Sequence, residues 1–244
     1  MSTWEKQLFK DSPLSIAQGE VSGHSGQHKF GAVPTMSNNQ SGTIWDINDT
    51  NYPWSSWDTA GTIQIPAVAT DDGLSVTIEG LDENYEVQTE VVVISSTVAT
   101  TVSGTWLRVY RAYCTNATNV GAIPIQKGGV TIANIVAGKA QTLMAVYTVP
   151  ANTTGYLMKG VCTCGANADA TGDIYFRYEG QPNFRIGHSF EVSGTGGEYV
   201  YEFSVPIRLP EKTDIDVRTS VRTNNARVTA AFDLILVKDG YEHV

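Results

Sequence analysis

The stretch Leu74-Ser-Val-Thr-Ile-Glu79 alternates apolar and polar residues at every step, and Gly80-Leu-Asp-Glu-Asn84 follows it as a polar turn. Residues 85–94 then form a second segment rich in valine. Two strand-like segments joined by a polar turn are typical of an antiparallel hairpin, because successive side chains of a strand point to opposite faces. The sequence therefore predicts a β-hairpin here, and the same kind of pattern recurs along the chain.

Further strand-like segments start about 10–20 residues apart, with Gly-, Asn- and Pro-containing turns between them, as in β-sandwiches and barrels. A short amphipathic helix is predicted only for residues 1–10, with Trp4, Leu8 and Phe9 on its apolar side. We expect an all-β protein, specifically a jelly-roll-like β-sandwich. The other predicted strands are residues 62–65, 106–114, 130–136, 142–149, 155–164, 173–178, 184–192, 199–208, 214–221 and 227–237.

The first 60 residues differ in kind from the rest of the chain. They are rich in glycine and show little periodic patterning, yet they contain four of the five tryptophans. Disordered tails are poor in aromatic residues, so the sequence predicts an extended N-terminal arm over residues 1–60 that is anchored by its aromatic side chains. The arm could lie on its own domain or on a neighbouring subunit, and the sequence does not distinguish these two possibilities. The predicted assembly contacts are Trp4, Phe9, Phe30, Trp45, Trp54 and Trp57.

Residues 61–244 are expected to form the sandwich itself. A single large domain is the first interpretation, because no long linker divides the segment and single β-domains often reach this length. Two packed β-subdomains, residues 61–126 and 130–244, are the alternative.

Composition and charge exclude several classes of function. The chain has 16 Lys and Arg against 25 Asp and Glu, a formal charge of -9, so a phosphate backbone would repel it and nucleic acid is not an expected partner. No run approaches the ~20 apolar residues of a membrane span. The first ten residues lack the apolar core of a secretory signal, so synthesis in a bacterial host cytoplasm is expected.

The residues that could carry chemistry do not form a recognisable site. His24 and His28 lack a third metal ligand nearby, and Cys162 and Cys164 have only one residue between them, which is too short for a zinc site. Asp71-Asp72-Gly73 lacks the alternating oxygen ligands of a calcium loop. We therefore expect no enzyme activity, no metal and no cofactor. The carboxylate pairs weighed as glycosidase candidates and set aside are Glu83 with Glu86, and Glu198 with Glu202.

Four charged residues lie at even-numbered positions near the C-terminus: Asp214, Asp216, Arg218 and Arg222. Strand alternation places them on one face, opposite the apolar odd-numbered residues between them. The sequence predicts that this face is a charged outer surface or a subunit contact.

Several segments resemble a family of virion structural proteins of tailed bacteriophages, particularly marine ones. The resemblance covers most of the chain, and it implies a place on a phage particle without catalytic residues. The segments that carry it are Gly138-Lys-Ala-Gln-Thr-Leu-Met-Ala-Val-Tyr-Thr-Val-Pro150, Leu209-Pro-Glu-Lys-Thr-Asp-Ile-Asp-Val-Arg218, Ala230-Ala-Phe-Asp-Leu-Ile-Leu-Val237, Gln27-His-Lys-Phe-Gly31 and residues 76–82.

The leading hypothesis is thus a non-catalytic virion protein, a capsid-associated decoration, cement or head-fibre protein that attaches through its N-terminal arm. Its expected partners are copies of itself, as a homotrimer, and other virion proteins such as the major capsid protein. Two alternatives stay open: a tail, neck or receptor-contacting component of the particle, and a carbohydrate-binding module. In the second, Trp45, Tyr52, Trp54 and Trp57 would form the platform on which sugars stack.

Overall fold

The computed structural model describes residues 13–165, 168–193 and 197–241. Almost all of its regular structure is antiparallel β-strand, which confirms the predicted all-β class. Helical structure in these residues consists of the short helix α1, Pro13–Ala17, and one turn of 3-10 helix, Trp54–Trp57.

The strands, numbered in chain order, are β1 (His24–Met36), β2 (Ser41–Thr43), β3 (Gly61–Ile65), β4 (Ser75–Leu81), β5 (Val87–Val93), β6 (Thr100–Trp106), β7 (Arg108–Cys114), β8 (Ile123–Lys127), β9 (Val130–Ile135), β10 (Val146–Thr148), β11 (Thr153–Cys164), β12 (Ala170–Arg177), β13 (Arg185–Val192), β14 (Glu198–Leu209), β15 (Asp214–Val221) and β16 (Ala226–Lys238).

Two of the four sheets enclose a first hydrophobic core. Sheet one has the order β1-β16-β11-β14, and sheet two has the order β10-β15-β12-β13, with β2 also paired to β15. Their inward side chains, such as Leu157, Ile174, Ile215 and Phe232, belong to one buried cluster. Strands from the two ends of the chain therefore build this sandwich together.

The middle of the chain builds the other two sheets around a second core. Sheet three has the order β6-β3-β8-β9, and sheet four has the order β5-β4-β7. The cluster between them includes Ile63, Ile78, Trp106 and Ile125, and the aromatic residues of segment 45–57 complete it.

The hairpin predicted from Leu74 onward is confirmed as β4 and β5, which pair antiparallel from Ser75↔Val93 to Leu81↔Val87. Strands β6 and β8 were missed, because Thr100–Trp106 is mostly polar and Ile123–Lys127 contains a proline. The β8–β9 hairpin pairs Lys127 with Val130 and so spans the boundary considered for two subdomains.

Within the segment predicted to be an arm, residues 24–36 form one of the longest strands rather than irregular chain. Strand β1 pairs with β16 from His24↔Val237 to Met36↔Ala226. Gly31 permits the close approach of β1 to Ile44 and Ala145, since a Cβ there would overlap the Ala145 nitrogen and the Ile44 oxygen. Residues 24–36 are thus an integral part of sheet one.

Candidate functional site

The predicted assembly contacts fall into three groups. The side chains of Trp45, Trp54 and Trp57 are 2%, 6% and 0% exposed, and they pack into the second core of their own chain. Phe30 lies on β1 and is 39% exposed. Trp4 and Phe9 lie outside the described residues. For the three buried tryptophans, the choice left open by the sequence is therefore resolved in favour of their own domain.

The same burial overturns the sugar-stacking platform considered from the sequence. Tyr52 is 3% exposed, and its ring meets Trp45 and Trp54 edge-on at centroid distances of 5.2 and 4.7 Å. Rings that are buried to this extent cannot receive a sugar. Sequence gives composition but not which aromatic faces are covered, and that is why the platform was wrong.

Asp214 is the centre of a buried ionic cluster between the two cores. Its Oδ1 accepts hydrogen bonds from Arg108 Nε at 3.0 Å and Thr148 Oγ1 at 2.6 Å. Its Oδ2 accepts from Arg108 at 3.1 Å and from Arg177 at 2.6 and 2.9 Å. Burial alone would disfavour the charge on Arg108, but the adjacent Asp214 carboxylate raises the pKa of Arg108 above its ordinary value.

Asp216, two residues on, makes a second set of buried contacts. It accepts hydrogen bonds from Thr43 Oγ1 at 2.8 Å, Trp54 Nε1 at 2.9 Å and Arg218 Nε at 2.7 Å. Burial raises the pKa of Asp216, and the three donated bonds oppose that shift. The carboxylate thus fixes segment 43–54 onto β15.

The prediction of a charged outer face on β15 was wrong for Asp214 and Asp216, although the alternation behind it was right; Arg218 on the same face is half-buried, with 26% of its side chain exposed. Asp214 and Asp216 do lie opposite Ile215 and Val217, but they are 3% and 0% exposed. Segment 43–58 covers Asp216 through Thr43 and Trp54, and Arg108 of β7 covers Asp214. These covering residues are distant in sequence, so local pattern could not reveal them.

A second buried pair of ionisable groups, Lys29 and Asp46, was not singled out by the sequence. Lys29 Nζ donates to the Tyr110 carbonyl and lies over the Tyr110 ring, and Asp46 Oδ2 accepts from the Leu143 N–H at 2.7 Å. Burial, with a contribution from nearby Arg111, lowers the pKa of Lys29 from 10.5 to about 7. Burial raises the pKa of Asp46 from 3.8 to about 8.

These two pKa shifts lead us to expect that the free energy of unfolding depends on pH. With rising pH it should fall on the acid side of neutrality and rise on the alkaline side. Asp46 holds its proton more tightly when folded, so its contribution to the free energy of unfolding falls between about pH 4 and 8. Lys29 holds its proton less tightly when folded, so its contribution rises between about pH 7 and 10.5. Each change should amount to several kcal/mol, because one pKa unit corresponds to about 1.4 kcal/mol.

Urea unfolding across this pH range tests the pair. Relative to the native protein, Asp46→Asn should reduce the pH dependence of the free energy of unfolding on the acid side. Lys29→Met should reduce it on the alkaline side. Lys159→Met, which removes a more exposed lysine paired with Glu202, is the matched control. An unchanged alkaline slope in Lys29→Met would contradict the buried, weakly basic lysine.

The remaining candidates for chemistry have structural surroundings. Cys162 and Cys164 are buried, as expected for small apolar residues, and burial raises the pKa of the Cys162 thiol to about 12. His28 pairs with Asp233 at 2.5 Å on the strand surface. Asp71 accepts the backbone N–H groups of Val120 and Gly121 at 2.6 and 2.7 Å, so it fixes a loop.

The described residues contain no cluster of three His, Cys, Asp or Glu side chains suited to a metal ion. No helix among these residues is long and apolar enough to cross a membrane.

Strand β5 presents its apolar side outward. Val87, Val91 and Val93 are 60%, 59% and 58% exposed, whereas Gln88 and Glu90 between them are half-buried. Gln88 donates to the Thr105 carbonyl at 2.9 Å on that covered side. We call Val87, Thr89, Val91 and Val93 the β5 valine face. It lies on an edge strand of sheet four.

No family model matches the sequence, and no curated protein matches it. Similar solved structures include one of the infectious bursal disease virus Gt strain, with 11% identity, a TM-score of 0.24, and coverage of 90% of this chain and 73% of that chain. Another is the cowpea mosaic virus top component, naturally occurring empty particles, with 10% identity, a TM-score of 0.21, and coverage of 75% and 82%. These scores are too low to carry a functional argument, and the fold class rests on the sheets described above.

Proposed function

We propose that this protein is a non-catalytic structural component of a phage virion, a decoration or cement protein of the capsid. The observation that carries the proposal is the β5 valine face. A strand with one face covered normally turns its polar residues to solvent, and here the apolar residues are outside. A surface of this kind is expected to be covered by another protein.

Other copies of this chain are the proposed partners of the β5 valine face. Edge strands with exposed backbone groups and apolar side chains pair readily with a second strand, unless charge or proline blocks them. The β5 valine face carries neither a charged residue nor a proline, because it consists of three valines and Thr89. Closed symmetric assembly is the usual outcome for identical chains, and we propose a trimer.

Attachment to the particle is proposed to use residues 1–12, which precede α1 and contain Trp4 and Phe9. Two facts support this narrower version of the arm hypothesis. Residues 24–36 are committed to pairing with β16, and the tryptophans of segment 45–57 are buried in the second core. Both stretches are therefore occupied within their own chain.

A lysine in the valine face should dissociate the oligomer. We expect Val91→Lys to weaken self-association on the order of 100-fold, because a buried, unpaired charge costs several kcal/mol at an interface. Val205→Lys is the matched control, since Val205 is 79% exposed on β14, away from β5. Light scattering at micromolar concentration measures both. A monomeric native protein, or a Val91→Lys variant that remains a trimer, would contradict the assembly proposal.

The position on the particle is tested by copy number. Quantitative mass spectrometry of purified particles should find on the order of hundreds of copies, as symmetry requires of a protein that covers the shell. About six or twelve copies would instead support the alternative of a tail or neck component. Absence from purified particles would overturn the virion role itself.

A further inference from the structure

A second surface, on the outer face of sheet two, forms a groove of about 650 Å³ with a mixed polar and apolar lining. This volume lies within the range of about 300–1,000 Å³ that is common for small-molecule sites. Three neighbouring strands form its floor, and Tyr199 of β14 and segment 41–51 lie at its sides. The residues used below, which we call the sheet-two groove, are Thr171, Asp173, Tyr175, Ser189, Glu191, Tyr199, Arg218 and Ser220.

The floor of the groove is ordered by strand register into two polar rows. Asp173 is flanked by Ser189 of β13 and by Arg218 of β15. In the next row, Thr171 is flanked by Glu191 and Ser220 on the same two strands. Because neighbouring strands lie about 4.8 Å apart, hydrogen-bonding groups recur across the floor at that spacing.

Contacts between the side chains hold these groups in position. Asp173 accepts from Ser189 Oγ at 2.6 Å and from the Tyr175 hydroxyl at 3.1 Å. Arg218 uses its Nε for Asp216, and a guanidinium carries four further N–H donors. Its planar group also lies over the Tyr175 ring, 4.6 Å from the centroid. The groove is therefore preorganised, which lowers the entropy lost on binding.

The chemistry of the lining selects the class of ligand. The hydroxyl, carboxylate and guanidinium groups of the lining suit a molecule with many hydroxyls, and the half-buried Tyr175 and Tyr199 add apolar surface beside them. An anionic ligand is disfavoured, because Asp173 and Glu191 are acidic and the charge of Arg218 is matched by Asp216. We propose that the sheet-two groove binds an uncharged oligosaccharide.

This site goes beyond the proposed virion role, and it differs from the tryptophan platform considered from the sequence. None of Trp45, Tyr52, Trp54 and Trp57 lines the groove. The groove also lies on sheet two and the β5 valine face on sheet four, so loss of sugar binding and loss of assembly can be measured separately.

A printed array with neutral, sialylated and sulfated oligosaccharides tests the proposal, using the full-length protein as probe. We expect retention on neutral glycans, followed by a calorimetric titration with the best-retained one. Asp173→Asn and Arg218→Lys should each weaken that binding about tenfold. Asp233→Asn, which alters an aspartate with a hydrogen-bonded partner on sheet one, should stay within about twofold.

A melting curve for each variant separates binding from folding. Arg218 also contacts buried Asp216, so if Arg218→Lys unfolds, Asp173→Asn alone decides the outcome. Retention of no neutral glycan, retention of acidic glycans only, or equal binding by Asp173→Asn and the native protein would each overturn the proposal.

Discussion

Deletion of residues 1–60 is expected to abolish folding, whereas deletion of residues 1–12 should leave the melting temperature unchanged. The longer deletion removes β1, which pairs along β16, and it exposes the second core by removing Trp45, Trp54 and Trp57. Burial of one tryptophan contributes several kcal/mol, from about 150–250 Å² of mostly apolar surface. The loss therefore exceeds the 5–15 kcal/mol that typically stabilises a domain.

Two measurements on the pair of deletions give the result. Thermal unfolding followed by circular dichroism should show a cooperative transition for the shorter deletion and none for the longer. Co-sedimentation with particles lacking the protein should fail for the shorter deletion, if residues 1–12 are the attachment segment. A folded chain without residues 1–60 would contradict the integral role of β1, and particle binding without residues 1–12 would contradict the attachment proposal.

Removal of the Asp214 carboxylate should produce a large loss of stability for a single substitution. Asp214→Ala leaves Arg108, which is 4% exposed, and Arg177 close together without their shared anion. Breaking a buried ion pair by removing one partner typically costs about 3–5 kcal/mol. We expect a loss of that order in the free energy of unfolding at neutral pH.

Urea unfolding of Asp214→Ala and Asp214→Asn measures this loss and separates the contribution of the charge from that of the rest of the side chain. The asparagine keeps the shape of the side chain and some hydrogen bonds, so it isolates the missing charge. Asp233→Ala is the control, because the Asp233 pair with His28 is exposed and should contribute about 1 kcal/mol or less. A change below about 1 kcal/mol in Asp214→Ala would mean that the buried cluster does not stabilise the junction between the cores.

Patterns local to a strand were enough to predict most of the strands. The hairpin of β4 and β5 follows from period-two alternation and a polar turn, both contained in about 20 residues of sequence. Strand β1 lacked this signal, because its first residues, His24 to Gln27, are polar or glycine and only its second half is buried.

What covers each face of a strand could not be predicted in the same way. Alternation correctly placed Asp214 and Asp216 on one side of β15. It could not indicate that segment 43–58 would cover that side. Conversely, the strand predicted for residues 85–94 gave no indication that Val87, Val91 and Val93 would lie outside. In the first case the covering segment is remote in sequence, and in the second the proposed partner is another molecule. The sheet-two groove was missed for a related reason, since it combines residues of β12, β13 and β15 that only the register brings together.

The pairing of β1 with β16 has a consequence for the order of folding during synthesis. His24 precedes its partner Val237 by 213 residues, so sheet one cannot close until β16 has been made. Sheets three and four use residues from Gly61 to Ile135 and can close much sooner. Contacts between residues so far apart in sequence form slowly. Until β16 is made, the edge of β1 is unpaired and can pair with other nascent chains. The yield of folded protein should therefore depend on translation rate and chaperone supply more than on final stability.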